Sequence, residues 1–310
     1  MTEPAIGDAN ARKSAALRLR GHTVGVWSVG LRRQPDHIVA DAASELDSLG
    51  FDAVWIPGSS GGEVFDRAER ILRATSRAVV ATGVVNIWMH DADEVARRTV
   101  ELAAGHEHRF LLGLGCSHAA LVARAGLAYS APVAKMEQFL DDLDADGRVD
   151  RNDRVLAALG PRMLDVAARR AVGVHPFNVT PMHTAMARSA LGPDAVLAPE
   201  LKVVLADDPS AARRLARAQL SIHLQLPNYV RNLKRLGFGD DDIGGGGSDR
   251  LVDGLVAWGD EGSVRRRIDE HFDAGADHVC LNVLTDGIDD VPLEAWRRLA
   301  AILPERNARR

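Results

Sequence analysis

An α/β chain closed into a (β/α)8 barrel, with insertions at the C-terminal rim, is the fold predicted for these 310 residues. Three observations predict it. Eight short apolar runs alternate with segments of helical period, the order of a parallel sheet sheathed by helices. Two helix-to-strand joints share one design, GFDAV at Gly50–Val54 and GADHV at Gly275–Val279, where glycine ends a helix and Asp precedes a buried strand. The only candidate dinucleotide turn, GLGCSH, lacks its third glycine and opens into irregular sequence, which argues against an open doubly wound sheet. The barrel is placed over residues 21–304, between flexible tails at 1–20 and 305–310, with excursions at about 119–154 and 206–277.

Strand one is TVGVWS, Thr23–Ser28. A helix follows Pro35, with Ile38, Ala42, Leu46 and Leu49 at helical spacing, and ends at Gly50. Strand two, Ala53–Ile56, runs into the loop Pro57–Gly62, and the next helix carries Val64, Ala68, Ile71, Leu72 and Thr75. The stretch Val79–His118 organises the rest. Its first run, VVATGVVNIW, is broken by Gly83 near the strand end. Asp91 with Glu94 three residues on then reads as a capping box opening a helix that stops at Gly105. A second run, FLLGLGCSH, ends in Gly113, Gly115, Ser117 and His118. Strand, helix and strand make a βαβ unit whose strands are parallel neighbours. Both end in glycine and small polar residues, where backbone can approach a ligand closely, so this is the candidate site.

Residues 119–150 hold one amphipathic helix around Met136, Phe139, Leu140 and Leu143, then the polar run DADGRVDRND. Strand five is Val155–Gly160, with Pro161 at the first helical position. Strand six is VGVHPFNV; Thr180 and Pro181 cap a helix that stops at Gly192. Strand seven is AVLAPELKVVL, and Asp208 with Pro209 caps a helical region reaching Gly237. Asp240–Asp249 is glycine-rich and reads as a loop. A helix over Ser263–Ala274 and the strand His278–Leu284 complete the count.

The composition, 46% hydrophobic and 26% charged, is that of an ordinary globular protein, and a net charge of -5 argues against nucleic-acid binding. No apolar run of about 18 residues predicts a membrane span, and the N-terminus lacks a signal pattern, so a cytoplasmic setting is expected. Two scattered cysteines, Cys116 and Cys280, fit a reducing compartment better than a disulfide framework; Cys116 reads as a small buried hydrophobe rather than a nucleophile. No metal spacing is present. His106 and His108 are read as closing a helix, where a cation suits the carbonyl end. No convergent charge cluster that would demand a sugar phosphate or a carboxylate is visible.

Taken together, TGVVNIWMHDADEVARRTVEL, RFLLGLGCSH, LAALGPRMLDVAARRAVGVHPFNVTP and GADHVCLNVL resemble the bacterial-luciferase-like family, and within it the branch of probable oxidoreductases dependent on coenzyme F420, a deazaflavin. The resemblance runs from about Thr23 to Leu303. It implies a flavin-like ring in the barrel mouth, backed by a non-prolyl cis peptide that matches Gly83–Val84 here. It places Pro57, Gly58, Gly83, Val84, Asn86, Gly113, Gly115, Ser117 and His118 around the cofactor, the Gly113–His118 loop near its tail and phosphate. The implied activity is hydride transfer between the deazaflavin and a small organic substrate, in a homodimer. Two alternatives stand beside it: an FMN-dependent monooxygenase using oxygen, and a barrel that binds a flavin-like ligand without turnover. Some relatives keep a His just after strand two, but this chain reads PGSSGGEV there, so no catalytic histidine transfers. His118, His175 and His90 are the catalytic candidates, each with a structural alternative, and Trp27 and Trp88 are candidate pocket walls. The 206–277 segment is read as a cover over the mouth or as a dimer element.

Overall fold

The computed structural model describes residues 14–58 and 63–304. Among the described residues, ten parallel strands form one sheet: β1 Thr23–Trp27, β2 Ala53–Gly58, β3 Val79–Asn86, β4 Phe110–Gly115, β5 Arg154–Leu156, β6 Gly173–Val174, β7 Val196–Leu197, β8 Glu200–Val204, β9 Val256–Trp258 and β10 His278–Val283. β7 and β8 are two halves of the predicted seventh strand, parted at Ala198–Pro199 because proline has no N–H for a ladder. This run closes the barrel. Ala198 N–H donates to Val174 O and Glu200 N–H to Pro176 O on one side, while Cys280 N–H donates to Pro199 O on the other. β9, which the strand count did not foresee, is a short addition beside β8.

The Asp of each glycine–Asp joint has a definite task. Asp52 Oδ2 accepts from Val24 N–H at 3.1 Å, and Asp277 Oδ2 accepts from Leu197 N–H at 2.9 Å. Each carboxylate thus takes up a backbone N–H of another strand that would otherwise be unpaired. Gly50 and Gly275 take φ of 97° each, which L side chains resist.

Several elements differ from expectation. Residues 14–20, assigned above to a tail, contain the helical turn Ala15–Arg18, and Ala15, Ala16 and Leu19 are fully buried. They join Trp55, Val79, Leu111, Val155 and Cys280 in the lumen core, sealing the N-terminal ends of the strands. The 119–150 excursion holds two helices, Ala119–Arg124 and Pro132–Asp146. Asp240–Asp249 is a helical turn, Asp240–Ile243, and a 3-10 turn, Gly244–Gly246, rather than plain loop; Asp242 holds it by accepting from Gly239 N–H and Ser248 Oγ. Asp91 caps its helix through Asp93 N–H, and Glu94 turns instead to His90 at 3.9 Å, so no capping box forms. Ile38 is exposed; Val39 takes the core position beside Ala42 and Leu46. His106 is held below its ordinary pKa by burial and by Arg109, so it is no cation at neutral pH. The part of the Pro57–Gly62 loop at 59–62 lies outside the described residues.

The 206–277 segment builds its own core from Leu220, Leu224, Leu233, Phe238, Leu251 and Leu255. It carries helices Pro209–Leu220, Pro227–Arg235 and Asp249–Leu255 before the helix Glu261–Asp273 returns to the barrel. No helix among the described residues is long and apolar enough to cross a membrane.

Candidate active site

The C-terminal ends of the strands open into one cavity of about 1060 Å³, the face on which barrel enzymes build their sites. One wall is backbone. β3 changes register between Ala81 and Val85, and the Gly83–Val84 peptide there is cis, as the family resemblance implied. Four glycines make room for this bulge. A Cβ on Gly113 would stand 1.9 Å from Thr82 O, one on Gly115 2.4 Å from Val84 Cγ2, and one on Gly58 2.8 Å from Val84 O. A Cβ on Gly83 itself would meet Trp27 Nε1 at 2.7 Å and His175 Nε2 at 3.0 Å.

Of the nine residues expected around a cofactor, Pro57, Gly83, Val84, Asn86, Gly115, Ser117 and His118 line the cavity. Gly58 and Gly113 do not; their missing side chains serve the bulge behind the wall. Trp27 Nε1 donates to Gly83 O at 3.0 Å, fixing the bulge from the lumen side. Asn86 accepts from Trp88 N–H through Oδ1, and its Nδ2 is buried without a hydrogen-bond partner among the described residues. Ser117 sits at φ 53°, its Oγ equally unpartnered. Unpaired buried donors beside a cavity are what a polar ligand edge would satisfy. Trp88 is not a cavity wall: its Nε1 donates to Cys116 O at 2.8 Å and its ring packs on Tyr129. The Cys116 thiol donates to Pro132 O, and burial pushes it up to about 12, so it is no nucleophile.

The three histidine candidates separate. His90 does not line the cavity; it is buried edge-on to Phe65. His175 lines it from beneath Gly83, stacked on Trp55 at 4.2 Å with Nδ1 2.7 Å from Ala198 O. Burial draws it down to about 4, leaving it neutral at pH 7. His118 lies 3.2 Å from Asn228 Oδ1 through Nδ1 and packs against Tyr229, its pKa also lowered by burial.

The opposite wall is built of side chains that the sequence reading did not single out. Lys202 and Glu200 on β8 form an ion pair of 2.6 Å, with side chains 2% and 0% exposed. Asn282 of β10 donates to the same carboxylate at 2.7 Å, and Lys202 stands 4.1 Å from the Phe177 ring centroid. Two charges at alternate positions of an apolar strand, ELK within VLAPELKVVL, were the available signal. His223 and Tyr229 of the 206–277 segment line the cavity on this side, with His223 drawn down to about 3 by burial and by Lys202.

A third feature lies at the rim. Arg162, Arg231 and Arg235 line the cavity, and none of their guanidiniums has a hydrogen bond or ion pair with a described residue. Arg231 and Arg235 are one turn apart on the helix Pro227–Arg235. The Arg235 guanidinium reaches to within 3.4 Å of where a Gly160 Cβ would stand, at the N-terminus of helix Pro161–Arg170. Positive charge, scattered in the sequence, thus converges at this edge, which corrects the expectation that no such cluster exists. Among the described residues no group of three or more His, Cys, Asp or Glu side chains is arranged to hold a metal.

Residues 25–145 match the family model described as luciferase-like monooxygenase. The match covers less than half of the chain. Its fold is similar to that of an F420-dependent secondary alcohol dehydrogenase in complex with an F420-acetone adduct, at TM-score 0.70 and 12% identity, over 93% of this chain and 99% of that one. It is similar as well to the FMN complex of the oxygenating constituent of 3,6-diketocamphane monooxygenase from Pseudomonas putida, at TM-score 0.67 and 14% identity, over 91% and 96% of the two chains. A third likeness is to the coenzyme F420-dependent tetrahydromethanopterin reductase of Methanopyrus kandleri, at TM-score 0.65 and 14% identity, over 91% and 97%. No curated protein matches the chain. At these identities the likeness establishes the luciferase-like fold, and cofactor choice rests on the cavity itself.

Proposed function

We propose that this luciferase-like barrel is an oxidoreductase that binds the deazaflavin coenzyme F420 and transfers a hydride between it and a small organic substrate. The observation that carries the choice is the rim cluster of Arg162, Arg231 and Arg235, three cations without an acidic partner among the described residues, two of them at a helix N-terminus. Flavin mononucleotide carries one terminal phosphate, whereas the deazaflavin coenzyme carries a phosphodiester followed by carboxylates, a tail suited to several guanidiniums. The unpartnered donors Asn86 Nδ2 and Ser117 Oγ and the glycine-backed bulge fit a flat, polar-edged ring. Gly83, Val84 and Asn86 would back the ring, and the arginines would hold the tail.

When bound, the coenzyme supplies two-electron hydride chemistry. The chain's own residues bind, orient and exclude water: Trp27 and Phe177 tilt against each other at 4.9 Å to wall the lumen, and the 206–277 segment supplies Ile222, Leu226 and Tyr229 above it. A homodimer, a cytoplasmic setting and a small-molecule substrate belong to the same reading. The test is fluorescence titration of the purified apo-protein with each coenzyme separately. Micromolar or tighter binding of the deazaflavin, with flavin mononucleotide bound far more weakly, is the expected result. The reverse preference assigns the barrel to flavin monooxygenase chemistry, and binding of neither overturns both enzyme readings.

A further inference from the structure

Glu200 and Lys202 alternate on β8, so both side chains project to the same, lumenal side. Their hydrogen-bonding capacities are unequally used. Glu200 accepts from Lys202 Nζ, from Asn282 Nδ2 and, through Oε2, from Asn178 N–H at 3.1 Å. Lys202 spends one of its three N–H donors on Glu200 and otherwise faces the Phe177 ring and the cavity it lines. Burying a lysine this deeply is costly even when it is paired. The pair is neutral overall, so it makes no demand for an anionic ligand, and the cavity that Lys202 lines is also lined by the apolar Leu284, Ile222 and Leu226.

We infer that Lys202 is the catalytic proton donor and acceptor of this cavity, serving a neutral, largely apolar carbonyl compound, or the corresponding alcohol, whose oxygen docks on its ammonium. The inference rests on the deazaflavin reading for its reductant. In the reducing direction the carbonyl carbon gains a hydride equivalent from the reduced coenzyme. The C–O π pair moves to oxygen, an O–H bond forms there, and a Lys202 N–H bond breaks. The lysine remains as a neutral amine against the Glu200 carboxylate; alcohol oxidation reverses each bond change. Burial lowers the proton affinity of Lys202 while Glu200 opposes it, which brings the amine within reach. The titratable groups about this end of the cavity are Glu200, His223, Tyr229, His118 and His175. Burial lowers the pKa of all three histidines and raises that of the phenol, so none competes as a charge at neutral pH.

The chain has four lysines, Lys13, Lys135, Lys202 and Lys234, so lysine labelled with carbon-13 at Cε and nitrogen-15 at Nζ yields four assignable signals. K13R, K135R and K234R assign three by loss and leave Lys202 by elimination, even where K202M fails to fold. The Lys202 signal is expected to titrate below the ordinary lysine range, because burial disfavours its ammonium. Addition of cyclohexanone should shift it saturably. With the deazaflavin bound, K202M should lower the rate of cyclohexanone reduction about a hundredfold or more. Titration together with the other lysines, indifference to cyclohexanone and cyclohexanol, or a response only to cyclohexanecarboxylate would overturn the inference. The same signals read in a protein that prefers flavin mononucleotide separate the two ideas: the coenzyme reading then fails, while a cyclohexanone-dependent shift still supports oxygen docking on Lys202.

Discussion

The two walls of the cavity are made of different material. The β3–β4 wall is backbone, shaped by glycines whose absent side chains admit the bulge at Gly83–Val84. The β8–β10 wall is side chain, a buried ion pair with its amide partner Asn282. A backbone wall fixes shape and tolerates no added atom. A charged wall fixes chemistry and tolerates no lost partner. The difference separates a surface suited to holding a flat ring from one suited to moving a proton.

The largest effect expected from breaking this contrast is at Glu200. Glu200→Leu strands Lys202 without a counter-charge and should cost about 3–5 kcal/mol in urea unfolding. Combining it with Lys202→Met should recover most of that loss; a single variant as stable as the parent would show the pair to be dispensable.

Acid is the next lever. His175 has its pKa drawn from 6.5 down to about 4 by burial, so the unfolded chain binds the extra proton first as pH falls. Stability contributed by keeping this ring neutral is complete above pH 6.5 and is lost as pH falls toward 4, on the order of 2–3 kcal/mol for this one group. Urea midpoints between pH 7 and pH 4 should decline less steeply for His175→Gln than for the parent. Equal slopes would mean that His175 is not the group being titrated.

On the backbone wall, Gly113→Ala sets a methyl group against the Thr82 carbonyl and should cost about 2 kcal/mol of stability, with weaker coenzyme binding. A thermal melt that leaves both unchanged would show that the bulge relaxes freely. The rim is softer still: Arg231→Gln and Arg235→Gln should each weaken coenzyme affinity by up to about tenfold, with a reduced salt dependence and unchanged melting temperature. Smallest of all is Gly244→Ala, where a Cβ would meet no atom and φ is -64°; a change within about 0.5 kcal/mol is expected. A larger change would mean that the glycine run has a task beyond its turn.

The backbone wall was legible because its signal is local. Gly83 interrupts a β-branched run, Gly113 and Gly115 end the next, and Pro57 ends the strand before. Even so, the roles of Gly58 and Gly113 were misread, since a glycine that admits a ligand and one that admits a neighbouring carbonyl look alike in sequence. The charged wall was illegible for a different reason. Glu200 and Lys202 lie on one strand, but Asn282 lies 82 residues after Glu200, and Phe177 and Asn178 come from the loop after β6. His90 lay close to the predicted site in sequence, yet the turn after β3 directs it onto Phe65.

Hydrophobic period, helix caps and glycine–Asp joints determined by themselves that this chain alternates strand and helix and closes as a barrel, because each acts within a few residues. Which polar groups share the barrel mouth was decided only by the tertiary structure. Closure of β7 and β8 against both β6 and β10 brings residues of β1, β2, β3, β4, β8 and β10 and of the loops after β5 and β6 to one rim, and burial there, rather than residue type, lowers the proton affinity of three histidines and of one lysine.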